Sequence, residues 1–335
     1  MKAIRIEAPG GLDRLRVVDM DAPADPGPGE ITVRLHASSL NFHDYGVVSG
    51  RMPTDDGRIP MSDGAGTVEA VGDGVTEFAT GDSVVSVFFP QWRDGPAAVA
   101  DFTGTPGDGV DGYAREAVTR PAGWFTKAPA GWTHEEAATI TTAGLTAWRA
   151  LVVDGGLKAG DDVLVLGTGG VSIYALQIAR AMGARVFATS SSDAKLARLA
   201  EMGATGTVNY RKTEDWGRAV AEMTAGRGVD HVVEVGGPAT LAQSIDACRI
   251  GGHMALIGVL TGRAGEVPTA KMMAKQQTLR GLIVGSHAMQ RDFVRAIDAT
   301  GLRPTLDRSF PLDGIADAFR HEESGAHFGK ITLSF

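Results

Sequence analysis

The segment from Asp162 to Ser172 constrains the fold more than any other part of the chain. A β-branched apolar run ends at Gly167, Gly169 and Gly170, and a helical pattern begins at once. This order predicts a strand, a tight turn and a helix. Such a turn places backbone N–H groups and a helix N-terminus against a pyrophosphate, where the helix dipole favours negative charge. Because a lone glycine pattern is weak evidence, the prediction of a dinucleotide fold depends on the rest of the chain.

Strands and helices alternate after residue 134. Strands are predicted at residues 163–166, 185–189, 207–209, 231–235, 253–257 and 279–284, with helical patterns between them and Cys248 at the end of one helix. This alternation predicts an α/β fold with a doubly wound, mainly parallel sheet. Thr133 and Glu136 have the spacing of a capping box at the start of this region.

The preceding residues have a different character. Residues 1–123 contain short period-two strands between Gly and Pro turns, which favours a small β-barrel. Residues 90–112 are rich in Gly, Pro and Asp and lack periodicity, as in a functional loop or a plain surface excursion. The tail after about residue 288 is too short to fold alone and is expected to return to the first domain.

Composition limits the class of protein. The 335 residues include 32 basic and 40 acidic side chains, and the formal net charge of −8 argues against a nucleic-acid or acidic-membrane partner. No apolar run approaches the roughly 18 residues of a membrane span, and the N-terminus resembles a strand. The single cysteine, Cys248, excludes an intramolecular disulfide and a thiolate-rich metal site. We therefore expect a cytoplasmic protein that acts on or binds a small molecule.

The residues beyond the second strand bear on the choice of cofactor. An NAD site usually has an acid about 20 residues after the first glycine, for the ribose 2′-OH. Here Ser190 stands 23 residues after Gly167, and Ser191, Ser192 and Lys195 follow. Hydroxyls and cations suit a 2′-phosphate, so NADP(H) is favoured over NAD(H). Alternatively, the serines only cap the next helix, and Asp193 argues in the other direction.

The predicted cofactor-binding residues lie in the glycine turn, around the end of the second strand and at the ends of later strands. They are Gly167, Thr168, Gly169, Gly170, Val171, Ser190, Ser191, Ser192, Lys195, Tyr210, Arg211, Gly236, Ile257, Gly258, Val259, Val284 and Gly285. Plain turn formation is the alternative for each later glycine. Ser172 replaces the third glycine of the usual pattern, which predicts a local change in helix–strand packing.

An ordered series of motifs covers nearly the whole chain. It includes Asn41-Phe42-His43-Asp44, the segments 60–66, 71–78, 81–84 and 144–147, the glycine turn, residues 209–211 and the ending 324–331. In this order the chain resembles the zinc-independent, quinone-oxidoreductase-like branch of the medium-chain dehydrogenase/reductase superfamily. The resemblance implies a GroES-like catalytic domain (1–123 and 287–335) around a Rossmann domain (124–286), assembled as a homodimer or homotetramer.

The resemblance also bears on metal binding. Zinc-dependent relatives have Cys at the position of Asn41, a His-Glu pair at Ser62-Asp63, and a second Cys near Thr142. None of the residues here is a soft zinc ligand, so no catalytic metal is expected. A four-cysteine zinc lobe is excluded by the cysteine count.

The resemblance implies catalytic roles for Asn41, Asp44 and Thr142. Asn41 is expected to orient a polar group or to tie two strands together, and Asp44 to order the nicotinamide ribose or to cap a helix. Thr142 is expected beside the nicotinamide.

Other side chains are candidates for the substrate site. Tyr45, Met52 and Trp92 are expected to line the pocket or to pack in the core. His43 is a candidate general acid or a plain polar group.

These expectations define an oxidoreductase that moves hydride between NADP(H) and a small quinone, enone or carbonyl compound. Two alternatives stay open: an alcohol or aldehyde dehydrogenase of the same superfamily, and a non-catalytic NADP(H)-binding sensor or scaffold.

Overall fold

The computed structural model describes all 335 residues, which form two compact units. Residues 1–145 and 284–335 form the mixed-sheet unit, and residues 146–283 form the parallel-sheet unit. None of the helices has both the length and the apolar composition of a membrane span.

The strands and helices are as follows, in chain order. Up to residue 148 they are β1 Lys2–Ile6, β2 Leu15–Asp19, β3 Glu30–Ser39, α1 Phe42–Val48, β4 Ala65–Val71, β5 Ser83–Ser86, β6 Ala117–Pro121, β7 Phe125–Lys127, α2 His134–Ala138 and α3 Leu145–Trp148. Between residues 149 and 283 they are β8 Asp162–Leu166, α4 Gly170–Ala181, β9 Arg185–Ser190, α5 Asp193–Glu201, β10 Gly206–Asn209, α6 Trp216–Met223, β11 Val229–Glu234, α7 Pro238–Ala247, β12 Cys248–Leu256, α8 Thr269–Ala274 and β13 Thr278–Gly281. The final elements are α9 His287–Thr300, β14 Leu306–Pro311, α10 Ile315–Glu323 and β15 Lys330–Ser334.

The mixed-sheet unit is organised by strand β3. The strand order is β14-β15-β3-β4-β5-β7, β6 also pairs with β3, and β1 and β2 form a separate antiparallel pair. The C-terminal strand β15 is antiparallel to β3, with Thr332 opposite Ser39. This pairing brings the start of β15 next to the segment that leads into α1. The predicted capping box is confirmed: Thr133 accepts from the Glu136 N–H, and Glu136 accepts from the Thr133 N–H.

The parallel-sheet unit has the strand order β10-β9-β8-β11-β12-β13, and every neighbouring pair is parallel. All five residues of β8 are buried, as expected for a strand covered on both faces. The carboxyl ends of β8, β9 and β11 therefore lie on one edge of the sheet, where ligands bind in folds of this type.

Several predicted boundaries differ from the observed ones. Cys248 begins strand β12 and does not end a helix. Strand β13 ends at Gly281, three residues before the predicted end. The first division between the units falls after residue 145, whereas the sequence suggests residue 123. The later position arises because β7 pairs with β5 and α2 packs on β3, so residues 124–138 extend the mixed sheet.

Candidate active site

Asp63 is the centre of a buried polar cluster in the mixed-sheet unit. Its side chain is fully buried just before β4 and accepts hydrogen bonds from Ser39 Oγ (2.6 Å), Asn41 Nδ2 (2.9 Å) and Thr142 Oγ1 (2.6 Å). Ser39 ends β3, Asn41 precedes α1, and Thr142 lies in the π-helical turn Ile140–Gly144. Two separate segments, 39–41 and 140–144, thus converge on one carboxylate. π-helical turns are frequent at functional sites.

Lys330, the first residue of β15, supplies the positive charge of this cluster. Its buried Nζ donates to the Leu40 carbonyl and to Asn41 Oδ1 (2.6 Å), and lies 3.9 Å from Asp63 Oδ2. Burial lowers the pKa of Lys330, and the charges of Asp63, Glu322 and Asp44 oppose that shift. Leu40, Asn41 and Asp63 therefore hold the lysine in place.

Carboxyl groups outnumber the single lysine. Asp44 accepts from Asn41 Nδ2 (3.0 Å) and from the Ser62 N–H (2.8 Å). Burial raises the pKa of Asp63 to about 6 and that of Glu322 to about 8, against the opposing effect of Lys330. Glu322 is therefore mostly protonated at neutral pH, which reduces the charge imbalance.

Asn41 is already saturated by protein partners. Its Nδ2 contacts Asp63 and Asp44, and its Oδ1 accepts from Lys330. With both amide hydrogens and the oxygen engaged, Asn41 orients two acids and a lysine. This geometry matches the strand-tying alternative for Asn41 and places Asp44 in the same network.

The four positions that hold zinc in zinc-dependent relatives do not fit a catalytic zinc here. Asn41 and Thr142 are hydrogen-bonded to Asp63, and the buried Ser62 Oγ has no hydrogen-bond partner. Only Asp63 is an anionic donor, whereas catalytic zinc takes three ligands drawn from Cys, His and carboxylate side chains. The chain contains no group of three or more His, Cys, Asp and Glu residues suited to a metal ion.

The three predicted pocket residues lie in packed surroundings. Tyr45 is 4% exposed within the core of the mixed-sheet unit, and its hydroxyl donates to Glu323. Met52 packs against the same core. Trp92 is buried beside Phe89, and its Nε1 donates to the Gly95 carbonyl (3.2 Å). These placements agree with the core alternative for each residue.

The glycine turn between β8 and α4 has the geometry expected of a phosphate cradle. Gly167 has φ +73°, and its N–H donates to the Thr189 carbonyl (2.8 Å). Gly169 is the N-cap of α4, and Gly170 begins the helix. A Cβ added at Gly169 would meet no protein atom within 4 Å. The space beside Gly169 at the helix N-terminus is thus open. Thr168 and Val171 lie within two positions of Gly169 in the sequence.

The contacts of Ser172 explain why a serine can stand where the usual dinucleotide-binding pattern has its third glycine. Its side chain is 2% exposed, and Oγ donates to the Leu166 carbonyl (2.6 Å). The hydroxyl ties the first turn of α4 to the last residue of β8. The substitution is therefore a packing variant that leaves the glycine turn intact.

The serines after β9 do cap the next helix. Ser192 Oγ accepts from the Lys195 N–H (3.4 Å), and Ser190 Oγ accepts from the Ser192 N–H (3.2 Å), with Ser191 between them. Asp193, the acid whose presence favours NAD(H), is hydrogen-bonded to other residues of the protein. Asp193 accepts from Lys212 Nζ (2.5 Å) and Asn209 Nδ2 (2.6 Å), and the bond from Lys212 is the main cause of its lowered pKa.

Tyr210 and Arg211 follow strand β10, which pairs with β9 through Asn209 and Ser190. The Tyr210 N–H donates to the Ser190 carbonyl (3.2 Å), and the Tyr210 side chain is 44% exposed. The Arg211 N–H donates to Asn209 Oδ1 (3.0 Å), and its side chain is exposed. The structure thus brings these two residues next to the serines at the end of β9.

Glu234 is a site feature that the sequence reasoning missed. Its fully buried carboxylate accepts from the N–H groups of Gly236 (2.8 Å) and Gly237 (3.0 Å), and from the hydroxyls of Thr240 and Ser244. The backbone donors of this glycine pair are therefore occupied by a protein carboxylate. An acidic residue at the end of a buried strand, followed by two glycines, is the signal that could have indicated this.

The remaining predicted cofactor residues fall in two places. Ile257 and Gly258 donate backbone N–H groups to the Glu234 carbonyl, and Val259 is 52% exposed. A Cβ at Gly258 would lie 2.2 Å from the Val235 carbonyl oxygen, so close backbone approach explains this glycine. Val284 (φ +46°) and Gly285 belong to the mixed-sheet unit, where Gly285 packs against Leu145.

Comparisons with known proteins agree with this architecture. Residues 27–130 match the model of the alcohol dehydrogenase GroES-like domain, and residues 170–300 match that of the zinc-binding dehydrogenase. A zinc-type alcohol dehydrogenase-like protein of Schizosaccharomyces pombe is 40% identical over 332 residues, which cover 96% of each chain.

Solved structures give the same result over the whole chain. A structure of an NAD-dependent alcohol dehydrogenase superposes with a TM-score of 0.90 at 35% identity and covers 100% of both chains. A mycobacterial protein complexed with NADPH has a TM-score of 0.82 at 28% identity, again covering 100% of both chains. With its GroES-like and Rossmann-like units, the chain belongs to the medium-chain dehydrogenase/reductase superfamily and is one of its oxidoreductases.

Proposed function

We propose that this protein is a zinc-independent, NADP(H)-dependent oxidoreductase that transfers hydride between the nicotinamide and a small quinone, enone or carbonyl compound. The observation that supports this most directly is the closed network around Asp63. Of the positions that would ligate zinc, Asn41 and Thr142 are hydrogen-bonded to Asp63, and Ser62 offers only a neutral hydroxyl.

The lack of a zinc ligand set supports the proposed substrate class. Bound NADP(H) supplies or accepts the hydride. Reduction of an isolated carbonyl concentrates negative charge on one oxygen, which a metal ion stabilises well. Reduction of a quinone or an enone spreads that charge over a conjugated system, so hydrogen bonds can suffice. A site whose polar groups include no zinc ligand set suits the second case.

The phosphate preference rests on the residues around Ser190. Ser190, Ser191, Lys195 and Arg211 offer hydroxyl and cationic groups, while Asp193 is already bound by Lys212 and Asn209. A 2′-phosphate gains charge-assisted hydrogen bonds in such surroundings, and a ribose 2′-OH lacks its usual carboxylate acceptor.

The second candidate is an alcohol or aldehyde dehydrogenase. It is favoured by the names of the related proteins and requires a group that polarises an unconjugated carbonyl. A third, a nucleotide-binding sensor, requires the glycine turn but no turnover.

Two measurements on purified protein separate these candidates. We expect metal analysis to find no stoichiometric zinc, and we expect NADPH to be oxidised with quinones or enones faster than with saturated aldehydes. One zinc per chain would overturn the zinc-independent proposal. Preference for saturated aldehydes or alcohols would support the dehydrogenase, and tight NADPH binding without turnover would support the sensor.

We also propose that the protein forms a homodimer or homotetramer. Strand β13 pairs only with β12, so this edge of the six-stranded sheet is open. Met273 and Ile283, which lie close to β13 in the sequence, are 76% and 43% exposed. Unprotected sheet edges with apolar neighbours tend to pair with another chain. Light scattering should give at least twice the 34.9 kDa of one chain, and a monomeric mass would overturn the proposal.

A further inference from the structure

His43 occupies a prepared environment within the mixed-sheet unit. It lies in the first turn of α1, two residues after Asn41, and its side chain is only 15% exposed. The ring packs edge-on to Phe88, with 5.4 Å between ring centroids, and against Phe102 at 4.5 Å. Two aromatic side chains therefore wall off a titratable group that the Asp63 network does not use.

A carboxylate lies against the covered edge of this ring. Asp108 Oδ2 is 3.3 Å from His43 Nε2, and the Asp108 side chain is 12% exposed. The separation suits an ion pair, although the two groups are not aligned for a hydrogen bond. The Asp108 carbonyl accepts from Thr54 Oγ1 (3.1 Å), and its N–H donates to the Thr105 carbonyl (3.2 Å), so the backbone that carries the acid is fixed.

One charged group faces the imidazole ring. Asp108 is the charged group that the loop presents to the ring, while Phe88 and Phe102 are uncharged. Asp44, the next residue on α1, is directed to Asn41 and Ser62. An imidazolium formed here would therefore lie at contact distance from a carboxylate. The ring nitrogen Nδ1 makes no hydrogen bond within the protein.

We propose that His43, paired with Asp108, is the proton donor of the reduction; this inference rests on the proposed function. As hydride adds to the electrophilic carbon, the electron pair of the C=O or conjugated C=C–C=O system moves to oxygen. The Nδ1–H bond of the imidazolium breaks and an O–H bond forms on the substrate. His43 is left neutral and regains a proton from water, while Asp108 stays ionised throughout.

A second histidine–aspartate pair in the same unit provides a control. His321 Nε2 lies 2.7 Å from Asp307 Oδ2, closer than the corresponding distance at His43, and Asp307 also accepts from the Phe328 N–H. This pair joins α10 to β14, and its ring lies 6.0 Å from the Phe310 ring and 6.4 Å from the His327 ring between centroids, farther than Phe88 and Phe102 lie from His43. Its loss should leave turnover unchanged.

The test compares His43→Phe, His43→Gln, Asp108→Asn and His321→Gln, using the acceptor that the wild-type protein reduces best. We expect kcat to fall by about 10²- to 10⁴-fold in both His43 variants, the range typical of a lost general acid. The Kd for NADPH, measured by fluorescence, should stay within about twofold of wild type. Asp108→Asn should give an intermediate kcat and, from ¹⁵N chemical shifts of the ring, a smaller imidazolium fraction of His43 at the same pH.

His43→Phe keeps aromatic packing against Phe88 and Phe102. Slow turnover of a folded His43→Phe variant would therefore reflect loss of the proton donor and not loss of packing. Turnover of His43→Phe within threefold of wild type would overturn the inference and leave the proposed function standing. An unchanged imidazolium fraction in Asp108→Asn would remove Asp108 from the pair. Absence of wild-type turnover with every quinone, enone and carbonyl tested would overturn both the proposed function and this role.

Discussion

Lys330 Nζ donates a 2.6 Å hydrogen bond to Asn41 Oδ1, although 289 positions separate the two residues. The same amide holds Asp63 and Asp44 through its nitrogen. One side chain at the start of α1 therefore couples the only buried ammonium of the cluster to two of its acids.

Replacing Lys330 with Met should destabilise the protein by roughly 3–5 kcal/mol, because it leaves Asp63 buried without its cation. Urea unfolding measures the loss. Lys127→Met is the matched control, since Lys127 pairs with Asp82 at an exposed site and such pairs contribute about 0–1 kcal/mol. Equal effects of the two substitutions would show that Lys330 is not needed to neutralise the cluster.

Because of Glu322, the free energy of unfolding should decrease as pH rises. Burial raises its pKa from 4.5 to about 8, so the folded state holds a proton that the unfolded state has lost between these values. The stabilising contribution is complete below pH 4.5 and is lost as pH rises through about 8. The raised pKa of Asp63 acts in the same direction between 3.8 and about 6.

Glu322→Gln, which mimics the protonated acid, should flatten the decline in Tm between pH 5 and pH 8. Thermal unfolding across that range measures the effect, and the exposed Glu214→Gln serves as control. A decline as steep as that of wild type would contradict a neutral Glu322.

Lys195→Ala and Arg211→Ala should each weaken NADPH binding by about 10-fold or more and NADH binding by less than about threefold. A charge-assisted hydrogen bond to phosphate contributes about 1.5–3 kcal/mol, and NADH has no 2′-phosphate to receive it. Arg218→Ala, which removes an exposed cation paired with Glu222, should change neither affinity. Equal weakening of both nucleotides would remove that residue from the phosphate site.

Gly169→Val should abolish nucleotide binding while the protein stays folded. The added side chain enters space in which no protein atom lies within 4 Å, so only a bound phosphate would meet it. Circular dichroism checks the fold, and isothermal titration measures the affinity. Gly281→Val, at another position with open space around the Cβ, should bind normally. Retained affinity in Gly169→Val would move the pyrophosphate away from this turn.

Local signals predicted individual elements in both units. The run ending at Gly167 is strand β8, the helix begins at Gly170, and Thr133 and Glu136 form their capping box. These features depend on neighbouring residues only, so pattern and spacing suffice to find them. The Gly236–Gly237 pair shows the limit of that reasoning, because its N–H groups bind Glu234.

Long-range pairs could not be found in the same way. His43 and Asp108 meet because a loop without periodicity folds back on α1, and no local rule specifies that return. Lys330 appears in the sequence as part of a short motif, but only the pairing of β15 with β3 reveals that its ammonium is buried among acids.

Strand β15 also sets an order of assembly. Its partner β3 leaves the ribosome early, whereas Lys330 is synthesised only after all of residues 146–283. Until then Asp63, Asp44 and Asn41 lack their cation, and the segment they occupy has no completed sheet to hold it. The polar cluster can thus be completed only after the intervening parallel-sheet unit has been synthesised.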